Sequence, residues 1–285
     1  MYKILIVCFF LSTWFHGINA QTVVSDSVTI LGNIRHFKMI LPNDINIGAP
    51  LVFVLHGYGD SSNVLWMHKA AQIHGFALCI PIGLTDLRGN NSWNVGYPFQ
   101  KEWKINDVWQ LCKLANYVQE KYKLSKENTF MTGMSNGGEM CYLMAYSKQN
   151  TFKAFASISG LTLKWMYYSL EAPCGMPIME VHGTEDRISE WYGDLNNVGG
   201  WGAYLPVEIA IDYWVAKNRC TYMEREEVEG LNLANQHMIE CYKYKGAANG
   251  NEVWLYKIVG GGHSTHVEDI DTGEEVWKFF SLYLR

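Results

Sequence analysis

Ser135 lies at the centre of Gly133-Met134-Ser135-Asn136-Gly137, with an apolar, β-prone run at 129–132 before it and a helix-like segment at 139–147 after it. The order strand, sharp turn, helix forces the central residue into a strained backbone conformation, and the glycines on both sides remove Cβ atoms that would clash there. Such a turn holds a serine hydroxyl up at the end of a sheet strand, beside backbone N–H groups and a helix N-terminus that can stabilise an oxyanion. Gly and Ser are common, so the pentapeptide alone says little. Its flanks carry the inference.

Serine is a weak nucleophile at neutral pH and needs a base, which in turn needs an orienting acid. In elbow enzymes these partners follow in the order Ser, Asp or Glu, His, each just beyond the C-terminal end of a strand. Asp186 follows an apolar run at 177–181 by a short loop, and His263 follows the run 253–259 through three glycines. Glu185 competes with Asp186, and these residues alone leave the two open. His266 lies three residues deeper into the loop than His263. His56 and His182 stand in His-Gly turns, where hydrogen bonding to backbone is the expected role, and His36, His68, His74 and His237 carry no motif. An oxyanion needs two donors: the Asn136 N–H, just after the nucleophile, and the Tyr58 N–H, in His56-Gly57-Tyr58-Gly59 after an early strand.

These residues need a scaffold of strands ending on one side. The continuous apolar run 51–55 reads as a strand buried on both faces, followed by a helix at about 64–74 and a second buried strand at 76–81. Alternation of strand and helix implies a parallel sheet. A long helix from Asn106 or Asp107 to about Tyr122 precedes the elbow strand; strands at 152–159 and 177–181, a helix at 206–217, a strand at 253–259 and an amphipathic helix at 272–283 complete the pattern. Residues 27–41 suggest two further strands. The segments 85–102, 161–175 and 187–204 read as loops rich in aromatic residues. No repeat, low-complexity tract or linker interrupts the chain, so one domain is expected over 21–285.

Residues 1–20 read as a signal peptide: Lys3, an apolar stretch over 4–15, and Ile18-Asn19-Ala20 before Gln21. The apolar stretch is short of the ~20 residues a membrane span requires, so an exported protein without a membrane anchor is expected. Formal charge is −5 with no basic run, which disfavours nucleic acid as a partner. Six cysteines follow the signal, and Cys220 and Cys241, flanking a variable-looking excursion in an exported chain, are the expected disulfide. Cys79, Cys112 and Cys141 read as free buried thiols. No Cys-x-x-Cys or His-Glu-x-x-His motif argues for a metal, and no cofactor is expected.

The chain resembles the secreted feruloyl esterase, acetylxylan esterase and polyhydroxybutyrate depolymerase group of α/β-hydrolases. Seven blocks carry the resemblance in order: Leu55 to Gly59, Ser92-Trp93-Asn94, Asn106-Asp107-Val108, Thr132 to Gly138, His182 to Asp186, Gly260 to His263 and Glu274 to Phe280. It implies an α/β-hydrolase fold with loop insertions over the site, Ser135 as nucleophile, His263 as base and Asp186, rather than Glu185, as acid. It also supports pairing of Cys220 with Cys241. Tyr58 replaces the Cys that many members carry, and Ser264-Thr265-His266 replaces a Thr-Trp-Pro type sequence. The implied substrate is a hydroxycinnamoyl (feruloyl) ester on a plant polysaccharide such as arabinoxylan, with Trp93, Trp165, Trp191 and Trp201 stacking on ring or sugar. Acetylxylan and polyester are the rival substrates, a wide aromatic cleft favouring ferulate and a narrow one acetate. A carbohydrate-binding protein without catalysis is the alternative of another class.

Overall fold

A computed structural model describes residues 21–285 except 44, 62–63, 229 and 232–236, so the expected signal peptide lies outside the described residues. The chain runs β1 (Gln21–Ile30), β2 (Asn33–Pro42), β3 (Leu51–Leu55), α1 (His68–His74), β4 (Ala77–Pro81), β5 (Leu84–Thr85), β6 (Asn91–Ser92), α2 (Asp107–Lys121), β7 (Thr129–Met134) and α3 (Asn136–Tyr146). It continues through β8 (Phe155–Ile158), α4 (Lys164–Ser169), β9 (Ile178–Gly183), α5 (Val207–Asn218), β10 (Tyr222–Val228), β11 (Met238–Lys245), β12 (Val253–Val259) and α6 (Thr272–Ser281).

Ten of these strands form one sheet, in the order β1-β2-β4-β3-β7-β8-β9-β12-β11-β10. The six central strands from β4 to β12 are mutually parallel, and the two at each edge are antiparallel. β3 shows why the apolar runs behave as they do. Leu51, Phe53 and Leu55 enter the core on one face, with residues of α2, α3 and α5, while Val52 and Val54 enter the core on the other, with residues of α1 and α6. A strand with cores on both sides must be apolar at every position.

The topology also fixes where a site can lie. From β3 the chain moves outward to β4, then crosses back through α2 to β7 on the opposite side of β3. That reversal leaves a crevice beyond the carboxyl ends of β3 and β7, the usual ligand position in an open α/β sheet. The His56 loop leaves β3 at this crevice, and Ser135 leaves β7 there.

Two expectations change. The excursion between Cys220 and Cys241 contains a hairpin-like pair, β10 and β11, in antiparallel register. The two cysteines are both free thiols. Cys220 packs with the core that holds α5, and Cys241 is buried in the core that holds α6. Because successive strand residues point to opposite faces, the body of the sheet separates the two sulfurs. The other change is minor: α1 begins at His68 rather than near Val64.

Candidate active site

The turn between β7 and α3 has the strain that the sequence implies. Ser135 has φ 55° and ψ −120°, a left-handed region that a residue with a side chain seldom occupies unless its surroundings enforce it. The surroundings are two glycines without room for a side chain. A Cβ on Gly133 would lie 2.6 Å from the Gly137 carbonyl, and a Cβ on Gly137 would lie 2.5 Å from the Leu55 carbonyl oxygen. The N-terminus of α3 is thereby pressed against the end of β3, and the Ser135 N–H donates to Ile158 O at 2.8 Å.

Asp186 and His263 come together from the ends of β9 and β12, which are neighbours in the sheet. Asp186 Oδ1 accepts the N–H groups of Ile188 and Ser189, each at 2.8 Å, and Oδ2 lies 2.7 Å from His263 Nδ1. Burial alone would raise the carboxyl pKa. The His263 contact and the Ser189 amide outweigh it and hold the group below the usual carboxylate value. With Nδ1 engaged by the carboxylate, the proton sits there and Nε2 is the basic nitrogen. Glu185 is exposed, and its backbone N–H donates to Gly261 O. Of the two acids that the residues left open, it is Asp186 whose carboxylate lies against His263. His266 is buried instead and pairs with Asp269 through Nδ1 at 3.1 Å. Burial is the main cause holding its pKa below the ordinary histidine value.

The loop after β3 is braced from behind. Gly83 N–H donates to His56 Nε2 at 2.8 Å, so the ring proton sits on Nδ1 and faces Gly57 O at 2.7 Å. A Cβ on Gly57 would lie 3.5 Å from Ser135 Cβ, which places the following peptide, that of Tyr58, beside the elbow. Neither the Tyr58 nor the Asn136 N–H has a hydrogen-bond acceptor among the described residues. Two uncommitted amides beside a serine are what an oxyanion site requires. The Asn136 side chain pairs with both backbone polar groups of Trp93, Oδ1 accepting its N–H at 2.7 Å and Nδ2 donating to its O at 3.1 Å.

The four tryptophans divide into two kinds. Trp93 is wholly buried, its indole N–H donating to His56 O at 3.0 Å. Trp191 is buried with its ring edge-on to His182. Both brace loops from inside, and neither presents a face to a ligand, which corrects the stacking role expected for them. Trp165 and Trp201 stay accessible. Trp165 is anchored by its indole N–H to Val95 O and borders an open apolar groove of about 510 Å³ with Pro98, Leu163, Tyr168 and Gly202. Trp201 packs edge-on to Tyr58 and borders a much smaller cavity beside Ser135.

That smaller cavity, ≈ 10 Å³ and lined by Tyr58, Tyr97, Ser135, Glu139, Leu161, Ile188, Ser189 and Trp201, contains a group the sequence reading missed. Glu139 is buried, hydrogen-bonded by the Tyr97 hydroxyl, and its desolvation raises the carboxyl pKa to about 8. The available signal was a lone acid in the otherwise apolar helical run that starts four residues after Ser135. Among the described residues no group of three or more His, Cys, Asp or Glu side chains is arranged to hold a metal ion.

Comparison with known proteins agrees with this architecture. The profile of the Prolyl oligopeptidase family matches residues 84–201. Poly(3-hydroxyalkanoate) depolymerase C of Paucimonas lemoignei is 24% identical over 271 residues, 88% of this chain, and the match spans 63% of the depolymerase's own length. Feruloyl esterase D of Neurospora crassa is 25% identical over 281 residues, 93% of this chain and 87% of that protein. Among solved structures, acetyl xylan esterase from Aspergillus awamori superposes with a TM-score of 0.60 at 14% identity, covering 91% of this chain and 99% of the esterase. The feruloyl esterase module from Clostridium thermocellum gives 0.55 at 12% identity, over 93% of this chain and 88% of the module. Sheet order, crossover pattern and these likenesses together establish that the chain has the α/β-hydrolase fold.

Proposed function

We propose that the protein is an exported serine ester hydrolase acting on acylated plant polysaccharide. The observation that carries the reading is the strained Ser135 at the switch point of the sheet, with the Asp186–His263 pair at the ends of two strands of the same sheet. In this reading His263 Nε2 takes the Ser135 proton as Oγ attacks the ester carbonyl. The oxyanion forms against the Tyr58 and Asn136 N–H groups. The alcohol leaves with the proton returned by His263, and water then hydrolyses the acyl-enzyme with His263 again as base. The buried Asp186 carboxylate keeps the proton on Nδ1 and offsets the imidazolium charge in both steps.

The acyl group is set by the space beside Ser135. About 10 Å³ accommodates roughly one water. That favours an acetyl-sized group over the hydroxycinnamoyl group expected from the sequence. A second reading keeps the feruloyl ester, its ring lying outside this cavity on the apolar groove bordered by Trp165 and Tyr168. Four of the similar proteins carry the name feruloyl esterase, which supports it. Rates on acetylated xylan, methyl ferulate and a hydroxybutyrate oligomer decide among them. Acetylated xylan is expected to be fastest; methyl ferulate hydrolysed faster would replace the first reading with the second, and no hydrolysis of any ester would end both.

A further inference from the structure

Behind Asp186 stands a second buried acid–histidine pair. Glu180 and His182 lie on alternate residues of β9, and both side chains are fully shielded from solvent. His182 Nδ1 is 2.7 Å from Glu180 Oε1, and Nε2 is 2.7 Å from Ser189 O. A carbonyl oxygen only accepts, so Nε2 carries a proton. Nε2 also lies 3.7 Å from Asp186 Oδ2, the oxygen that faces His263. Glu180 is held in turn by the Tyr142 hydroxyl, which donates to Oε2 at 2.9 Å, and by the Gly160 N–H.

We infer that His182 is a positioning residue for the triad acid, holding the Ser189 carbonyl on one side of that residue while the Ser189 N–H holds Asp186 on the other. Ser189 gives its N–H to Asp186 Oδ1 and receives His182 on its carbonyl, so the backbone of this residue is held on both sides of its Cα. Ile188 and Ser189 also line the cavity beside Ser135. The clamp therefore sets the acid, the base behind it and one wall of the acyl space together. Whether the proton between Glu180 and His182 rests on one or the other, the pair is neutral overall and Nε2–H is unchanged. With Glu180 as partner, the protonated form of His182 is favoured despite its burial. That places positive charge 3.7 Å from Asp186 Oδ2, beyond hydrogen-bond distance, while the Nε2 proton stays on Ser189 O and Oδ2 stays with His263.

The charged and titratable groups facing His182 are Glu180 on its own strand, Asp186 and His263 in the strand-end loops, His266 beyond β12 and, across Glu180, Tyr142 of α3. Glu180, Asp186 and Tyr142 touch the cluster directly, whereas His266 is neutral above its lowered pKa. Loss of His182 is therefore felt chiefly through Asp186.

The inference rests on the proposed triad, and the test separates the two. Wild type, Ser135→Ala, His182→Leu, His182→Gln and the double variant Glu180→Gln/His182→Gln are compared for hydrolysis of p-nitrophenyl acetate across pH 5–9. The His263 Nδ1–H proton resonance is followed in each by NMR, which needs no activity. His182→Leu is expected to lower kcat by about tenfold or more with KM within about threefold, because the acid loop loses its clamp while the apolar groove bordered by Trp165, which does not touch the clamp, stays. His182→Gln keeps a donor for Ser189 O, so kcat recovers most of the loss. In both, the acid limb of kcat/KM moves up by about half a unit to one unit as positive charge leaves the vicinity of Asp186, and the Nδ1–H resonance shifts. The double variant, a neutral pair of similar shape, keeps the question open to measurement if His182→Leu does not fold. An unchanged acid limb and resonance in the soluble variants, with only thermal stability reduced, would overturn the inference. Activity retained by Ser135→Ala would instead overturn the triad.

Discussion

Two histidines three residues apart in the loop after β12 each pair with an aspartate, and the contrast between them shows why one is proposed as the base and the other is not. His263 and Asp186 meet across two strand ends. The carboxylate is sealed, with two backbone amides fixing its other oxygen, while about a fifth of the His263 side chain is open to solvent. His266 and Asp269 lie within one loop, and the histidine side chain is closed off entirely. His266 Nδ1 meets the acid at 3.1 Å, and Nε2 has no hydrogen-bond partner among the described residues. An imidazole that must exchange protons with a substrate needs an exposed edge and a buried, ordered acid. The pair at 263 and 186 has both; the pair at 266 and 269 has only the acid.

The contrast can be broken by mutation. His263→Ala is expected to cost about 10⁴- to 10⁶-fold in kcat, because serine then has no base; His266→Ala is expected to leave kcat/KM within about threefold. Steady-state kinetics on p-nitrophenyl acetate measure both, and equal losses would erase the distinction. Next in size is Asp186→Asn, expected to cost about 10⁴-fold by stabilising the wrong imidazole tautomer. Glu185→Gln, at the exposed neighbouring position, should be silent in the same assay.

His266→Ala should show itself in stability. Removing a buried, hydrogen-bonded ring costs about 1–3 kcal/mol, readable as a lower urea midpoint at pH 7.5. The smallest effect is in pH dependence. The folded-state pKa of His266 is lowered, so the unfolded chain binds a proton more readily and wild-type stability falls as pH drops below the ordinary histidine value near 6.5. Asp186 acts lower down: its depressed pKa contributes stability above about 3.8 that is lost as pH falls through its folded value. Denaturation midpoints from pH 8 to 5 should therefore decline less in His266→Ala than in wild type, and parallel curves would contradict a buried neutral His266.

What the sequence made legible follows the same division. Strands buried on both faces announce themselves as unbroken apolar runs, so β3, β4, β7 and β12 were readable, and the residues just beyond them could be matched to a chemical requirement. The edge pair was not. β10 is exposed along nearly its whole length, and its charges are answered across the ladder, Arg225 by Glu240, Glu226 by Lys243 and Glu224 by Lys245. A polar edge of this kind guards against association and lacks the alternation that identifies a strand. Burial within these segments was equally hidden: nothing in the composition of 85–102, 161–175 or 187–204 separates Trp93 and Trp191, which brace their loops from within, from Trp165 on α4 and Trp201, which stay accessible. His182 was legible as a histidine that bonds backbone, as it does at Ser189 O, but its pairing with Glu180 was not, because a charged pair inside a central strand is meaningful only once its neighbours in space are known. The Cys220–Cys241 pairing failed for a related reason, since spacing along the chain does not reveal that a sheet lies between two residues.

The central claim is that Ser135 is the nucleophile and His263 its base. Treating the protein with a fluorophosphonate and locating the adduct by peptide mass spectrometry tests it most directly. A single adduct is expected on the peptide containing Ser135, absent in Ser135→Ala, much slower in His263→Ala and unaffected in His266→Ala. An adduct on another residue, or labelling of Ser135 at the wild-type rate without His263, would contradict the account.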